Sequence, residues 1–265
     1  MPRQQTGLSR RAMLALLGLG GLTVAGGAGG ALLLLLLRAA RQLVALPTSP
    51  TPPPAALIPP PIVPRAQWGA LPPDHNAPNE PGFYSLDNPE GWRVYEGDLR
   101  AVYRTVVIHH SANYGRDDID TLLYIQRRHR EERGWADVAY HFFVGREGMI
   151  YAGRPLDVRG THVAGYNTGS VGVCLLGNFE ETEPTVSQLA NTLLLVQWLA
   201  AILGLTHLAG HSEFNPETEC PGDHLIPYLD VLAAGSGLAR GTGGYVPSEE
   251  QLLLTLPAAS AGQSP

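Results

Sequence analysis

A histidine and a cysteine lie on one short loop late in the chain, where residues 210–220 read GHSEFNPETEC. Far upstream, residues 105–112 read TVVIHHSA, so that a pair of histidines ends an apolar run. Two imidazoles and one thiolate form a ligand set that suits Zn²⁺, and three protein ligands leave a fourth position open for water. The residue types therefore predict a catalytic zinc site built from His109, His211 and Cys220.

The neighbouring residues His109 and His110 cannot both bind the same ion if they belong to a regular strand. Residues 104–110 are rich in β-branched side chains and predict a strand in a sheet that is covered on both faces. Successive side chains of a strand point to opposite faces of its sheet. We therefore expect one of the two histidines to be a ligand and the other to pack or to support the site.

The chain has two cysteines, Cys174 and Cys220. Cys174 lies in the apolar run VGVCLL at residues 171–176, which predicts a buried strand. A buried free cysteine behaves as a small hydrophobic residue. The alternative is a Cys174–Cys220 disulfide, which would consume the proposed thiolate ligand and which a domain of this size does not need.

Charge and motifs exclude two classes of function. The net charge is −6, and the one concentrated basic run, RRHR at residues 127–130, is typical of a solvated helix face. A nucleic-acid-binding domain is usually basic, so that function is disfavoured. The sequence has no Gly-x-Ser-x-Gly motif, which argues against a serine hydrolase of the α/β type.

Strand and helix patterns alternate along the middle of the chain, which predicts an α/β fold with a central mixed β-sheet flanked by helices. Residues 71–99 are rich in proline, asparagine, aspartate and glycine and predict a long loop. Predicted strands cover residues 104–110, 138–144, 149–151, 171–176 and 205–209, and predicted helices cover residues 117–133, 185–203 and 223–234.

The first 46 residues predict a signal or membrane-anchor segment. Residues 12–37 carry no charge, and a helix of that length would span about 39 Å, which exceeds a hydrocarbon core of about 30 Å. Arg10 and Arg11 precede this run in a pattern similar to a twin-arginine export signal, which would make the protein bacterial or archaeal. We expect a transmembrane or signal helix that is either retained as an anchor or cleaved, with the following domain outside the cytoplasm.

Composition divides the rest of the chain into three parts. Residues 47–61 form a proline-rich linker that favours the extended polyproline conformation. Residues 62–234 have the patterns of one folded domain of ordinary size. Residues 235–265 are rich in glycine, alanine, serine and proline and predict a low-complexity tail.

Several short motifs, taken together and in order, resemble the peptidoglycan recognition protein family and the related zinc-dependent N-acetylmuramoyl-L-alanine amidases of phage-lysozyme type. The similarity spans about residues 62–232. The motifs are RAQWGA at 65–70, VIHHSA at 107–112, GWADVAYHF at 134–142, GYN at 165–167, VGV at 171–173, GNF at 177–179, GH at 210–211 and CPG at 220–222.

This resemblance implies roles for individual residues. It selects His109 from the histidine pair as a zinc ligand together with His211 and Cys220, and it implies that Tyr140 is catalytic. Thr218, two residues before the cysteine, would add a weaker contact to the oxyanion. The loop between His211 and Cys220 is about one residue longer than in animal members of the family.

The resemblance also implies a substrate. The expected reaction is hydrolysis of the amide between N-acetylmuramic acid and L-alanine of peptidoglycan, with His162 and Asn167 binding the muramyl peptide. Aromatic residues of the loop at 71–99 would pack the loop down or line a sugar-binding groove. The alternative is a peptidoglycan-binding module without catalysis, although non-catalytic relatives typically lack the cysteine ligand. We expect a monomer.

Overall fold

The computed structural model describes residues 58–245. The predicted signal or anchor segment at 1–46, the linker as far as residue 57 and the tail beyond residue 245 lie outside these residues. The strands are β1 (Ile62–Val63), β2 (Thr105–His110), β3 (Phe142–Val144), β4 (Ile150–Ala152), β5 (Ser170–Leu175), β6 (His207–Gly210) and β7 (Ala239–Arg240). The helices are α1 (Leu99–Val102), α2 (Asp118–Arg127), α3 (Val186–Leu203), α4 (His211–Phe214) and α5 (Ile226–Ser236). A π-helical turn, Arg128–Glu132, extends α2, and 3₁₀ turns cover Arg65–Trp68 and Thr242–Gly244.

The seven strands form one sheet in the order β1-β4-β3-β5-β2-β6-β7. Neighbouring strands run parallel except for β3 and β4, which pair antiparallel as a hairpin. The predicted α/β class with a central mixed sheet flanked by helices is therefore confirmed. Its two long central strands, β2 and β5, are fully buried, which matches their continuous apolar sequences.

Helices α3 and α5 supply the hydrophobic core on one face of the sheet. Helix α3 begins with a capping box, in which Thr185 Oγ1 accepts from the Gln188 amide and Gln188 Oε1 accepts from the Thr185 amide. It ends at Gly204, whose positive φ of 67° terminates the helix. Within residues 58–245, α3 is the one helix that is long and apolar enough to cross a membrane, but Leu195 and Leu199 bury it in the core.

Helix α2 packs over a second hydrophobic cluster on the opposite face. Asp117 caps this helix by accepting a hydrogen bond from the Asp120 amide. Leu122 and Ile125 point toward the sheet, where Phe143 and Cys174 lie. The site described below lies at the carboxyl end of β2, where His109 and His110 end the strand.

The predicted strand at 138–144 is too long at its start. Residues 138–141 do not form a ladder, because their carbonyls bond elsewhere: Ala139 accepts from the Thr161 amide and Tyr140 from the Arg154 amide. The strand itself begins at Phe142. Tyr140 therefore lies in an irregular segment, where its orientation depends on long-range contacts and not on strand alternation.

The predicted domain end at residue 234 is too early, and the predicted tail from 235 is wrong for residues 235–245. Helix α5 continues to Ser236, and Gly237 ends it with a φ of 72°. Leu238 is buried, and β7 then pairs parallel with β6. This short edge strand is stabilised by pairing with β6 and not by its own sequence. The glycine-rich sequence around it therefore did not predict a strand.

The loop at residues 71–99 is packed against the domain, which is the first of the two alternatives for its aromatic residues. Trp92 and Tyr95 are buried. The buried side chain of Glu80 receives two hydrogen bonds from Arg154 and one from the Ala136 amide. This ion pair fixes the loop on the same face of the sheet as α2.

Candidate metal centre

Two neighbouring parallel strands deliver the two histidines. Strands β2 and β6 pair in a register that places Ile108 opposite Gly210, so His109 and His211 follow side by side. Their ring centroids are 4.7 Å apart. Because the carboxyl ends of parallel strands share one edge of a sheet, residues that are distant in sequence meet there.

Cys220 reaches the same point by a loop that folds back after α4. The Ser212 amide donates to the Cys220 carbonyl at 2.8 Å, which closes this loop. The Cys220 sulfur lies 3.5 Å from His109 Nδ1 and accepts from the His110 amide at 3.4 Å. One ligand atom from each of His109, His211 and Cys220 lies within 4.8 Å of the others. We call these three residues the His–Cys cluster.

The His–Cys cluster fits a zinc ion. With bonds of about 2.1 Å to nitrogen and about 2.3 Å to sulfur, tetrahedral zinc holds two such ligand atoms about 3.6 Å apart. The observed separation of 3.5 Å between His109 Nδ1 and Cys220 Sγ agrees with that value. The two imidazoles and the sulfur also have the softness that zinc prefers.

The electrostatics of the cluster favour neutral imidazoles. Burial lowers the pKa of His109 well below its ordinary value, and burial also lowers the pKa of His211. Burial raises the pKa of the Cys220 thiol to about 12, because the thiolate loses its hydration. A bound cation reverses this penalty, so metal binding at this cluster would release the thiol proton.

His110 lies on the opposite face of β2, as strand alternation predicted. Its Nδ1 accepts a hydrogen bond from the Phe179 amide at 3.3 Å. Its backbone amide is the group that donates to the Cys220 sulfur. The backbone of His110 therefore holds the Cys220 sulfur in place, while its side chain packs on the other face of the sheet.

Tyr140 lies beside the cluster. Its ring centroid is 5.0 Å from that of His109 and 5.5 Å from that of Phe143. Burial raises the pKa of its phenol well above the ordinary value. The hydroxyl therefore keeps its proton and can donate a hydrogen bond.

Thr218 lies on the loop that carries Cys220. Its Oγ1 accepts from the Cys220 amide at 3.2 Å. The structure thus gives Thr218 a role in shaping the backbone of the cysteine ligand, in addition to the oxyanion contact that the sequence suggested.

His162 and Asn167, which the resemblance paired as substrate-binding residues, lie in different surroundings. His162 is only 6% exposed, and its Nδ1 lies 3.0 Å from His109 Nε2. Asn167 Oδ1 accepts from the amides of His162 and Val163, both at 2.7 Å. Asn167 holds the loop that carries His162, and it also lines a neighbouring cavity.

This cavity has a volume of about 190 Å³ and lies between the loop at 71–99 and the segment that follows His162. Arg159 spans its wall and donates to the carbonyls of Pro89 and Gly91. The lining is polar and aromatic, with both signs of charge: Asn79, Glu80, Tyr84, Pro89, Glu90, Arg93, Trp135, Arg159, Thr161, Gly165, Asn167 and Thr168.

Sequence reasoning missed two features of the site. Cys174 lies directly beside His109 in the ladder, and both cysteines are free, so the alternative disulfide does not form. The contact between His162 and His109 was also missed. The pairing of β2 with β5 determines the first contact, and the folding of the loop before β5 determines the second. A single sequence carries no direct signal of either.

Comparison with known proteins defines the class to which this α/β domain and its His–Cys cluster belong. Residues 99–223 match the family described as N-acetylmuramoyl-L-alanine amidase. Peptidoglycan-recognition protein LB of Drosophila melanogaster is 32% identical over 218 residues, which cover 77% of this chain and 82% of that protein. An endolysin of Klebsiella phage KP32 is 38% identical over 130 residues, which cover 45% of this chain and 81% of the endolysin.

A solved structure agrees with this assignment. Peptidoglycan recognition protein-LE in complex with tracheal cytotoxin, a monomeric diaminopimelic acid-type peptidoglycan, matches with a TM-score of 0.52 and 27% identity. The match covers 71% of this chain and 98% of that structure. The chain belongs to the family of peptidoglycan-recognition proteins and N-acetylmuramoyl-L-alanine amidases.

Proposed function

We propose that this protein is a zinc-dependent N-acetylmuramoyl-L-alanine amidase, which hydrolyses the amide between N-acetylmuramic acid and the L-alanine of peptidoglycan stem peptides. The observation that carries this proposal is the His–Cys cluster with Tyr140 beside it. A module that only binds peptidoglycan needs neither three convergent metal ligands nor a protonated phenol next to them.

The chemistry of amide hydrolysis suits the residues of this site. An amide is a weak electrophile with a poor leaving group, and zinc, when bound, polarises a carbonyl and lowers the pKa of water. Tyr140 keeps its proton, so its hydroxyl donates to the negative charge that develops on the carbonyl oxygen. Thr218 orients the backbone at Cys220, and the cavity beside Asn167 receives part of the substrate.

The proposed substrate class also has support from relatives. Their names include amidases and phage endolysins, and the peptidoglycan recognition protein-LE structure contains a peptidoglycan fragment. The partner of this chain would therefore be peptidoglycan or a muramyl peptide. Because that substrate lies outside the cytoplasm, we also propose that residues 1–46 carry the domain there as an anchor or as an export signal.

The second candidate function is peptidoglycan binding without catalysis, because the relatives include peptidoglycan-recognition proteins as well as amidases. The two functions are separated by measuring zinc stoichiometry and turnover of a muramyl tripeptide for wild type and for Cys220→Ser. We expect about one zinc per chain and release of free peptide by wild type, and loss of both in the variant. Zinc-loaded wild type that binds the peptide and leaves it intact would favour the binding module.

A further inference from the structure

The feature that the proposed mechanism does not use is the contact between two buried imidazoles, His109 and His162. His109 presents Nδ1 toward Cys220, and its other nitrogen, Nε2, lies 3.0 Å from His162 Nδ1. The two rings meet edge to face, with centroids 5.0 Å apart. Both side chains are buried, so water does not compete strongly for this hydrogen bond.

The far side of His162 determines the direction of this hydrogen bond. His162 Nε2 lies 3.3 Å from the carbonyl oxygen of Ser170, which can only accept. His162 Nε2 must therefore carry the proton, and in a neutral imidazole the other nitrogen, Nδ1, is then an acceptor. His109 Nε2 must donate to it, which leaves the lone pair of His109 Nδ1 directed toward the ligand position beside Cys220.

The surrounding backbone fixes the His162 ring in this position. A β-carbon at Gly172 would lie 2.7 Å from Cγ and Cδ2 of the His162 ring, and one at Gly160 would lie 2.5 Å from the same Cδ2. Glycine at these two positions leaves the space that the ring fills. The paired hydrogen bonds from Asn167 hold the His162 backbone from the loop side.

We propose that His162 is a positioning residue for the metal site: the hydrogen-bond series Ser170–His162–His109 sets the tautomer and the orientation of the His109 ligand. This proposal rests on the proposed metal ligands but not on amidase turnover. It assigns His162 to the support of the ligand, instead of to direct contact with the muramyl peptide. Outer partners of metal-binding histidines commonly fix the tautomer and ring orientation in this way.

The most direct test is a nuclear magnetic resonance measurement of imidazole tautomers in the metal-free full chain. Long-range proton–nitrogen correlations distinguish a protonated ring nitrogen from a bare one. We expect wild-type His109 to be protonated at Nε2 and bare at Nδ1. In His162→Ala we expect His109 to become a mixture of both tautomers, and in His162→Asn, whose side-chain oxygen can replace the Nδ1 acceptor, we expect the wild-type tautomer to return.

A second readout is zinc affinity, measured by competition with a chelator. We expect His162→Ala to weaken zinc binding by about 10- to 100-fold, the range found for outer partners of metal ligands. We expect His162→Asn to recover most of that loss. His141→Gln is the matched control, because the buried His141 ring packs against His162 but forms its hydrogen bonds with Val158 and Gly172 and not with His109. We expect its zinc affinity to stay within about 3-fold of wild type.

Two results would overturn the proposal. One is a His109 tautomer and a zinc affinity that are unchanged in a folded His162→Ala variant. The other is a His162→Ala variant that binds zinc normally but has a raised KM for muramyl peptide, which would return His162 to the substrate site. If the tautomer result holds and wild type does not hydrolyse the substrate, the proposed amidase function fails and this inference stands.

Discussion

At the scale of single residues, the chemistry of the site depends on which side chains hold a proton and which can bind a cation. The neutral imidazoles of the His–Cys cluster are ready to bind a cation, whereas the buried thiol of Cys220 becomes a ligand only by losing its proton. In the proposed mechanism Tyr140 has the opposite task, because it would keep its proton to stabilise an oxyanion. Burial raises the pKa of both Cys220 and Tyr140. Direct binding to a cation would reverse this shift for Cys220 alone.

The Tyr140→Phe variant tests the donor role of the phenol. Removing the hydroxyl leaves the ring packed on His109 and Phe143, so we expect zinc affinity to remain at the wild-type value. Loss of one oxyanion donor typically lowers kcat by about 10²- to 10³-fold. Steady-state kinetics on a muramyl tripeptide, with bound zinc measured in parallel, checks this. Unchanged kcat in the zinc-loaded variant would remove Tyr140 from the mechanism.

Residue types and their order in the chain predicted the His–Cys cluster, once the family resemblance had selected His109 from the histidine pair. The same reasoning could not place His162, because its burial depends on the missing side chain of Gly172 in the neighbouring strand. The resemblance to a family implied a substrate contact for His162, while the structure shows it against His109. Which way such a polar loop residue faces depends on contacts with residues distant in sequence, which local sequence does not encode.

At the scale of elements, the buried Arg154–Glu80 pair holds the loop at 71–99 on the domain. The side chains of the two residues are 0% and 3% exposed. Removing one partner of a buried pair leaves an uncompensated charge and costs about 3–5 kcal/mol. We therefore expect Glu80→Gln to lower the free energy of unfolding by about that amount in urea denaturation, and to weaken substrate binding in the cavity that Glu80 lines.

The matched control is Glu183→Gln, which removes the carboxylate from the His224–Glu183 pair. The two side chains of that pair are 42% and 61% exposed, so its loss should change stability by less than about 1 kcal/mol. Equal stability losses in the two glutamine variants would contradict the role given to the buried pair.

The segment after α5 shows how composition can conceal an ordered element. Glycine and alanine dominate this part of the sequence, yet β7 pairs with β6, and Tyr245 packs against Phe214, three residues after His211. The predicted helix at residues 185–203 agrees with α3, because the residues that cap and bury this helix are close together in the sequence. Strand β7 depends on an edge that β6 provides, and that edge does not exist until the sheet has formed.

Two shortened chains test the observed domain end. A chain that stops at residue 234 loses the β7 pairing and the burial of Leu238, whose side chain alone is worth about 2 kcal/mol. We expect it to unfold at a lower temperature than a chain that stops at residue 245, as measured by circular dichroism. The longer chain should match the full-length protein, and identical melting of both shortened chains would support the boundary predicted from sequence.

At the scale of the whole molecule, buried histidines make stability depend on pH. Burial lowers the pKa of His141 to about 4, while an unfolded histidine titrates near 6.5. Below pH 6.5 the unfolded chain therefore binds more protons than the folded one, so stability falls as pH decreases toward 4. Between pH 7 and pH 5 this one group removes about 2 kcal/mol.

Comparison of wild type with His141→Gln isolates that contribution. In urea denaturation of metal-free protein, we expect the free energy of unfolding to fall less steeply between pH 7 and pH 5 in the variant, by about 2 kcal/mol. A chelator keeps metal binding from adding its own pH dependence. Parallel pH profiles for the two proteins would show that His141 does not titrate as its burial requires.

The central claim concerns one bond, so the most direct measurement is mass spectrometry of purified peptidoglycan after digestion by the zinc-loaded full chain. We predict intact glycan strands without peptides and free stem peptides that begin with L-alanine, with one water added for each cleaved amide. Cys220→Ser should leave the same material unchanged. Peptidoglycan that is bound but chemically intact, or cleaved at any other bond, would contradict the account.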